Sequence, residues 1–174
     1  MERTLGLLWD SRSDVFKLCF NVQPGGKTKR QLLRTLAEIF DPHGFYVSVT
    51  LVAKTIIQEV WRNKCDWDKN LPPVLLQKWD SWISSFDKHQ PIDMQRCITP
   101  KFGQWSRADL HIFSDASKIG FGAVSYLRFE TDTGIAISFV MAKSRVAPLK
   151  LVTIPRLELS AAVMATRLAS TIHR

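Results

Sequence analysis

Two acids in this sequence could hold metal ions over a phosphodiester bond. Asp115 closes the apolar run His111-Ile112-Phe113-Ser114-Asp115, which reads as a short buried strand delivering one carboxylate to its end. Glu158 lies one turn into Ile154-Pro155-Arg156-Leu157-Glu158-Leu159-Ser160-Ala161-Ala162, which reads as the start of a helix. Two-metal hydrolysis needs carboxylates that hold two Mg²⁺ roughly 4 Å apart, one ion activating water and the other stabilising the leaving oxygen. Magnesium prefers hard oxygen donors and keeps several waters, so few protein ligands are needed. Gly120 and Gly122, just past Asp115, would leave space for a nucleic-acid backbone beside it. The chemistry on offer is Mg²⁺-dependent cleavage of nucleic acid, with Asp115 and Glu158 as catalytic residues and metal ligands alike.

For these acids to meet, a sheet and a helix must carry them. Residues 110–115, 121–129 and 135–141 alternate as strands do, and Thr131-Asp132-Thr133-Gly134 has hairpin turn chemistry. Residues 143–154 read as a basic, proline-punctuated loop, followed by a helix from Pro155 to about Ile172 with proline at its start. Ala161, Ala162 and Ala165, on or near the Glu158 side, would let that helix approach a sheet closely.

Upstream, two apolar runs flank the turn formers Ser11-Arg12-Ser13-Asp14, and Phe16, Leu18, Phe20 and Val22 alternate, which predicts a β-hairpin. Two isolated strands are marginal in water, so the hairpin needs a partner surface. Thr28 is the expected N-cap of a helix over 29–40, with Leu32, Leu33, Leu36, Ile39 and Phe40 inward, stopped before Pro42. A second helix is expected over 47–62 with Val49, Val52, Ile56, Val60 and Trp61 inward, and a third over 74–86 through Leu75, Trp79, Trp82, Ile83 and Phe86. The stretch 89–103 is polar and carries two prolines; within it 92–99 is either an edge strand or a linker. The fold class is α/β (α+β), with a hairpin over 1–22, a helical layer over 23–105, and a three-stranded sheet plus helix over 106–174.

The chain has 24 Lys and Arg against 16 Asp and Glu, a formal net charge of +8, which favours a polyanionic partner, most often nucleic acid. Lys27 with Lys29, Arg30 and Arg34 on the outer face of the first helix, and Lys143, Arg145, Lys150 and Arg156 before and at the start of the last, are the candidate phosphate contacts. Cys19, Cys65 and Cys97 lie far apart without metal-ligand spacing and read as buried free thiols. No run approaches the roughly 20 apolar residues that span a bilayer, and Met-Glu-Arg-Thr is not a secretory signal. An intracellular chain with no membrane partner is expected.

Asp-Ala-Ser-x-x-Gly-x-Gly-Ala at 115–123, a hairpin, and Glu-Leu-x-Ala-Ala at 158–162 resemble the first half of the ribonuclease H domain of LTR retrotransposon polyproteins. Leu5-Gly6-Leu7-Leu8-Trp9-Asp10, Thr28-Lys29-Arg30, Ile39-Phe40-Asp41-Pro42-His43-Gly44 and Trp67-Asp68 are similar to the thumb and connection region of a Bel/Pao-type reverse transcriptase. Lys143 to Leu149 and Pro155-Arg156-Leu157-Glu158-Leu159 are similar to the same lineage. The resemblance implies a primer-grip hairpin, a helical thumb and connection region, and the opening half of a ribonuclease H fold. It implies RNA-strand hydrolysis in RNA/DNA hybrids with Mg²⁺, and partners in the rest of a polyprotein that also performs reverse transcription and DNA integration. By motif match Asp115 takes the place of the first catalytic Asp and Glu158 that of the catalytic Glu. The polymerase fingers and palm are absent, and the sequence stops at Arg174, before the strand that in the family carries another essential Asp. Little or no nuclease activity is therefore expected of this chain as it stands.

Asp132-Thr133-Gly134 is also the triplet of aspartic proteases, and such polyproteins contain one. A retroviral-type protease places its Asp after an apolar strand and dimerises to share a proton between two such acids. Here Arg128, Glu130 and Thr131 precede the triplet, so a turn is expected and a peptidase is not.

Overall fold

The turn formers at 11–14 close a hairpin, as their chemistry requires. In the computed structural model, which describes residues 2–4, 7–18, 26–85, 92–99 and 104–173, strands β1 (Glu2–Thr4), β2 (Leu7–Asp10) and β3 (Val15–Leu18) pair antiparallel in that order. Asp14 takes the left-handed conformation, φ 53°, which a short polar side chain tolerates. The hairpin finds its partner in β4 (Ile92–Gln95), which joins β3, so this stretch is an edge strand and not a linker. Phe20, Val22 and Cys19 lie outside the described residues.

The chain divides into two compact units, Met1–Asp41 with Val49–Arg96, and Pro42–Ser48 with Cys97–Arg174. In the first, helix α1 (Lys29–Ala37) starts at a capping box between Thr28 and Gln31, as Thr28 promised. It stops short of Phe40, which is exposed and not a core residue. Helix α2 (Val47–Arg62) has the expected bounds with a rotated inner face. Thr50, Ala53, Ile56, Ile57 and Val60 are buried, whereas Val52 and Trp61 are about half exposed. Helix α3 (Pro73–Ser84) buries Leu75, Trp79, Trp82 and Ile83 as its periodicity predicts. These join Leu32, Leu71 and the α2 face in one core; Phe86 lies outside the described residues.

The second unit is the three-stranded antiparallel sheet β5 (Trp105–Ala116), β6 (Gly120–Thr131) and β7 (Gly134–Val146), with helix α4 (Ile154–Ile172) packed over β5 and β6. Asp132 and Thr133 make the β6–β7 turn, closed by a Thr131 Oγ1 bond to the Gly134 carbonyl at 2.8 Å. Strand β7 runs further than expected: Lys143, Ser144 and Arg145 pair with Ala123, Gly122 and Phe121, so they belong to a strand and not to a loop. On the face that buries Ala123, Ser125 and Phe129, α4 contributes Leu157, Ala161 and Leu168. Ala161 is the small contact expected, while Ala162 is exposed. The opposite face carries a chain of rings, Phe113 on Tyr126, Tyr126 on Phe139 and Phe139 on Phe45.

Phe45 belongs to a strap, residues 42–48, laid along the outer edge of β7. Ala142 N–H donates to the His43 carbonyl at 2.8 Å, and Ser144 Oγ donates to the Val47 carbonyl at 3.0 Å. Gly44 sits at φ +81°, and a Cβ there would lie 2.0 Å from the Ala142 oxygen, so only glycine fits. The exposed edge that an open sheet implies is thus covered on this side.

Candidate nucleic-acid interface and acid pair

Asp115 sits near the end of β5, opposite Gly122, which in turn pairs with Ser144. Its neighbour across the ladder therefore has no side chain, and Asp115 is exposed. A Cβ on Gly122 would come within 3.0 Å of the Lys143 carbonyl, a second reason for glycine. The following turn is closed by Ser117: its Oγ accepts from Ile119 N at 3.2 Å and Gly120 N at 3.3 Å, and its own N–H donates to the Gly120 carbonyl at 2.8 Å. Ala147 N donates to the Ile119 carbonyl at 2.8 Å, so β7 ends beside this turn.

That position constrains Glu158. The chain from Ala147 to Ile154 spans at most about 25 Å, whereas a strand as long as β5, 12 residues, runs about 40 Å. Helix α4 therefore begins short of the far end of the sheet, and Glu158 is exposed one turn in. Strand alternation turns Asp115 to the face that carries Phe113, opposite the face covered by α4. Among the described residues no group of three or more His, Cys, Asp or Glu forms a metal-binding cluster.

The family model of the Pao retrotransposon-like RNaseH-like domain matches residues 28–174, from the cap of α1 to the end of α4. The chain belongs to this family. It is the ribonuclease H region of a Pao retrotransposon polyprotein, with the mixed helix and sheet architecture expected of it. Comparison with curated proteins and with solved structures gave no match.

Within this RNaseH-like region the basic candidates separate into two kinds. Lys143, Arg145, Lys150 and Arg156 are all exposed. By register Lys143 and Arg145 point to the α4 side of β7, and Arg156 lies in the first turn of α4. None has a carboxylate partner among the described residues. The ion pairs of the unit gather at the other end of the sheet, where Arg107 meets Asp109 at 2.9 Å and Arg128 meets Glu130 at 2.7 Å and Asp109 at 3.7 Å.

The α1 candidates are largely occupied. Lys27 is exposed, but Arg30 makes a bidentate pair with Asp68 at 2.7 and 3.0 Å, and Arg34 meets Glu38 at 2.9 Å. The Arg30 guanidinium holds the Asp68 carboxyl below its ordinary value, and Asp68 raises Arg30 in return. Lys29 departs from the expected outer face: it is 4% exposed. Its ammonium lies 3.2 Å from the Trp61 ring centre and 4.7 Å from that of Trp67, and it donates to the Cys65 carbonyl at 3.4 Å. Two indole faces and a carbonyl satisfy the buried charge, which removes it as a phosphate contact. Nothing in the helical pattern signals this, because Trp67 comes from the connection after α2.

The remaining motifs resolve simply. Asp132 is exposed at the tip of a hairpin turn. Cys65 is half-buried and Cys97 exposed, neither in a disulfide; the expected burial fails at Cys97 because it follows the edge strand β4. No helix among the described residues is long and apolar enough to cross a membrane.

Proposed function

We propose that this chain is a nucleic-acid-binding part of the polyprotein that holds an RNA/DNA hybrid at the Asp115 end of its second unit. The observation that carries this reading is the segregation of charge. Among the described residues Lys143, Arg145 and Arg156 have no carboxylate partner, and Lys143 and Arg145 lie at the Asp115 end of the sheet, while Arg107 and Arg128 towards the other end are paired with Asp109 and Glu130. Lys27 and the exposed sides of Arg30 and Arg34 would add weaker contacts from α1. Phosphate binding of this kind releases counterions, so affinity falls steeply as salt rises. Fluorescence anisotropy with a labelled hybrid measures this. Lys143→Glu combined with Arg145→Glu is expected to weaken binding at low salt and lower the slope of log K against log salt by about 2. A wild-type chain that shows no salt-dependent retention of the hybrid would sink the reading.

Ribonuclease H-like domains generally use divalent metals, and the family match together with the motif positions of Asp115 and Glu158 favours a second reading, RNA-strand hydrolysis with Mg²⁺. Both acids offer the hard oxygens magnesium takes. With Asp115 turned to the face away from α4, and without a third acidic ligand gathered among the described residues, these two do not fit a complete two-ion site, and no hydrolytic step follows from them alone. In this reading the remaining ligands come from elsewhere in the polyprotein, and the helices of the first unit serve as its connection region. Mg²⁺-dependent cleavage of a hybrid, abolished by Asp115→Asn, is the result that would establish it.

A further inference from the structure

Lys118 has no place in either reading so far, yet it occupies the tip of the turn between β5 and β6. The Ser117 hydroxyl ties down the backbone on both sides of it by accepting from Ile119 and Gly120. Lys118 is exposed and, although Asp115 is close in sequence, it has no ion pair among the described residues. Arg145 pairs with Phe121 and Ala147 bonds to Ile119, so Arg145 lies on the segment that runs next to the turn carrying Lys118. The faces of the sheet offer less. Helix α4 covers one, the strap and its ring chain occupy much of the other, and the far end is neutralised.

We propose that Lys118 binds a backbone phosphate next to Asp115 and that the nucleic acid crosses the ends of the strands at this rim. This rests on the hybrid-binding reading above and deepens it by naming the contact that sets where the backbone lies relative to the acids. A lysine on a turn closed by its own hydroxyl partner keeps its position when the ligand arrives, which is what a register contact requires. The test is the salt dependence of hybrid binding by Lys118→Gln, with Arg107→Gln at the far end as control. The expected result is a several-fold weaker Kd at low salt and a slope smaller by about 1 for Lys118→Gln, with Lys118→Arg restoring both. Arg107→Gln leaves both unchanged, and the thermal midpoint of Lys118→Gln stays at the wild-type value. If the wild type binds steeply and Lys118→Gln keeps its affinity and slope, this contact is wrong while the hybrid-binding reading stands. If the wild type does not bind, both fall.

Discussion

The two units handle the same kind of residue in opposite ways. In the first, six cations are drawn onto partners within the fold, Lys17 to Asp93, Arg30 to Asp68, Arg34 to Glu38, Lys69 to Asp66, Lys78 to Glu59 and Arg96 to Asp14, while others such as Lys27 stay open. Lys29 goes furthest and is buried under two indoles. In the second, the paired charges sit at one end of the sheet, and Lys118, Lys143, Arg145, Lys150 and Arg156 are left open toward the other. A net charge of +8 does not tell these cases apart. Basic residues that are already satisfied build a unit, and those left unsatisfied can build an interface.

The largest break in this comparison comes from the core of the first unit. Trp79 is fully buried and stacks at 4.7 Å on Trp82, whose Nε1 donates to the Val49 carbonyl at 3.1 Å. Truncating a buried Trp removes transfer free energy and leaves a cavity, a loss of about 3–5 kcal/mol. Trp79→Ala is expected to lower the stability measured by denaturant unfolding by that amount. Where the chain is still folded, the salt slope of hybrid binding stays close to the wild-type value, because the principal contacts, Lys143, Arg145 and Arg156, are in the other unit. A reduced slope in the folded variant would show that the first unit contributes more of the interface than its ion pairs suggest.

Lys29 gives a sharper test with a smaller effect. As a caged cation, its loss in Lys29→Met costs about 1–2 kcal/mol of stability and leaves the binding slope intact. As a phosphate contact, the same change would leave stability intact and lower the slope by about 1. Unfolding curves and salt titrations on one protein sample separate the two, and only the first outcome agrees with the 4% exposure.

What was legible in the sequence follows the same division. The capping box at Thr28, the inner face of α3, the bounds of α2 and α4 and the turn at 131–134 are local properties, written in periodicity and turn chemistry, and they appear as expected. Three features were not legible because each joins distant segments. The Lys29 cage needs Trp61 and Trp67 together, and choosing the edge strand over the linker at 92–95 needs β3 from more than seventy positions upstream. The strap needs Gly44 against Ala142, where His43-Gly44 reads locally as nothing but a helix stop. Of the acid pair, both residues were named from their motifs, and both are exposed. Alternation along β5 then turned Asp115 to the face away from α4, which no linear motif encodes.

The smallest effect concerns acid. Asp68 is held below the ordinary carboxylate value by its hydrogen bonds to Arg30, Asp66 by Lys69, and Asp10 by the Ser13 hydroxyl and the Arg12 N–H. All three lie in the first unit. A carboxylate whose folded-state pKa is depressed contributes stability that is fully present above its unfolded pKa, near 3.9. That contribution is lost as pH falls through the folded value. The charge-satisfied unit should therefore weaken from about pH 4 downward, while the Arg30 side of the pair, raised above an already high value, changes nothing at any ordinary pH. Asp68→Asn removes one of these carboxylates, so its stability should fall less than that of the wild type between neutral pH and strong acid. Both Arg30 and Asp68 are well exposed, with side chains 64% and 70% accessible, so salt should narrow the difference. Acid unfolding followed by circular dichroism at low and high ionic strength reads this directly. Identical acid limbs for the two proteins at low salt would mean that the Arg30–Asp68 pair is no stronger in the folded chain than in the unfolded one.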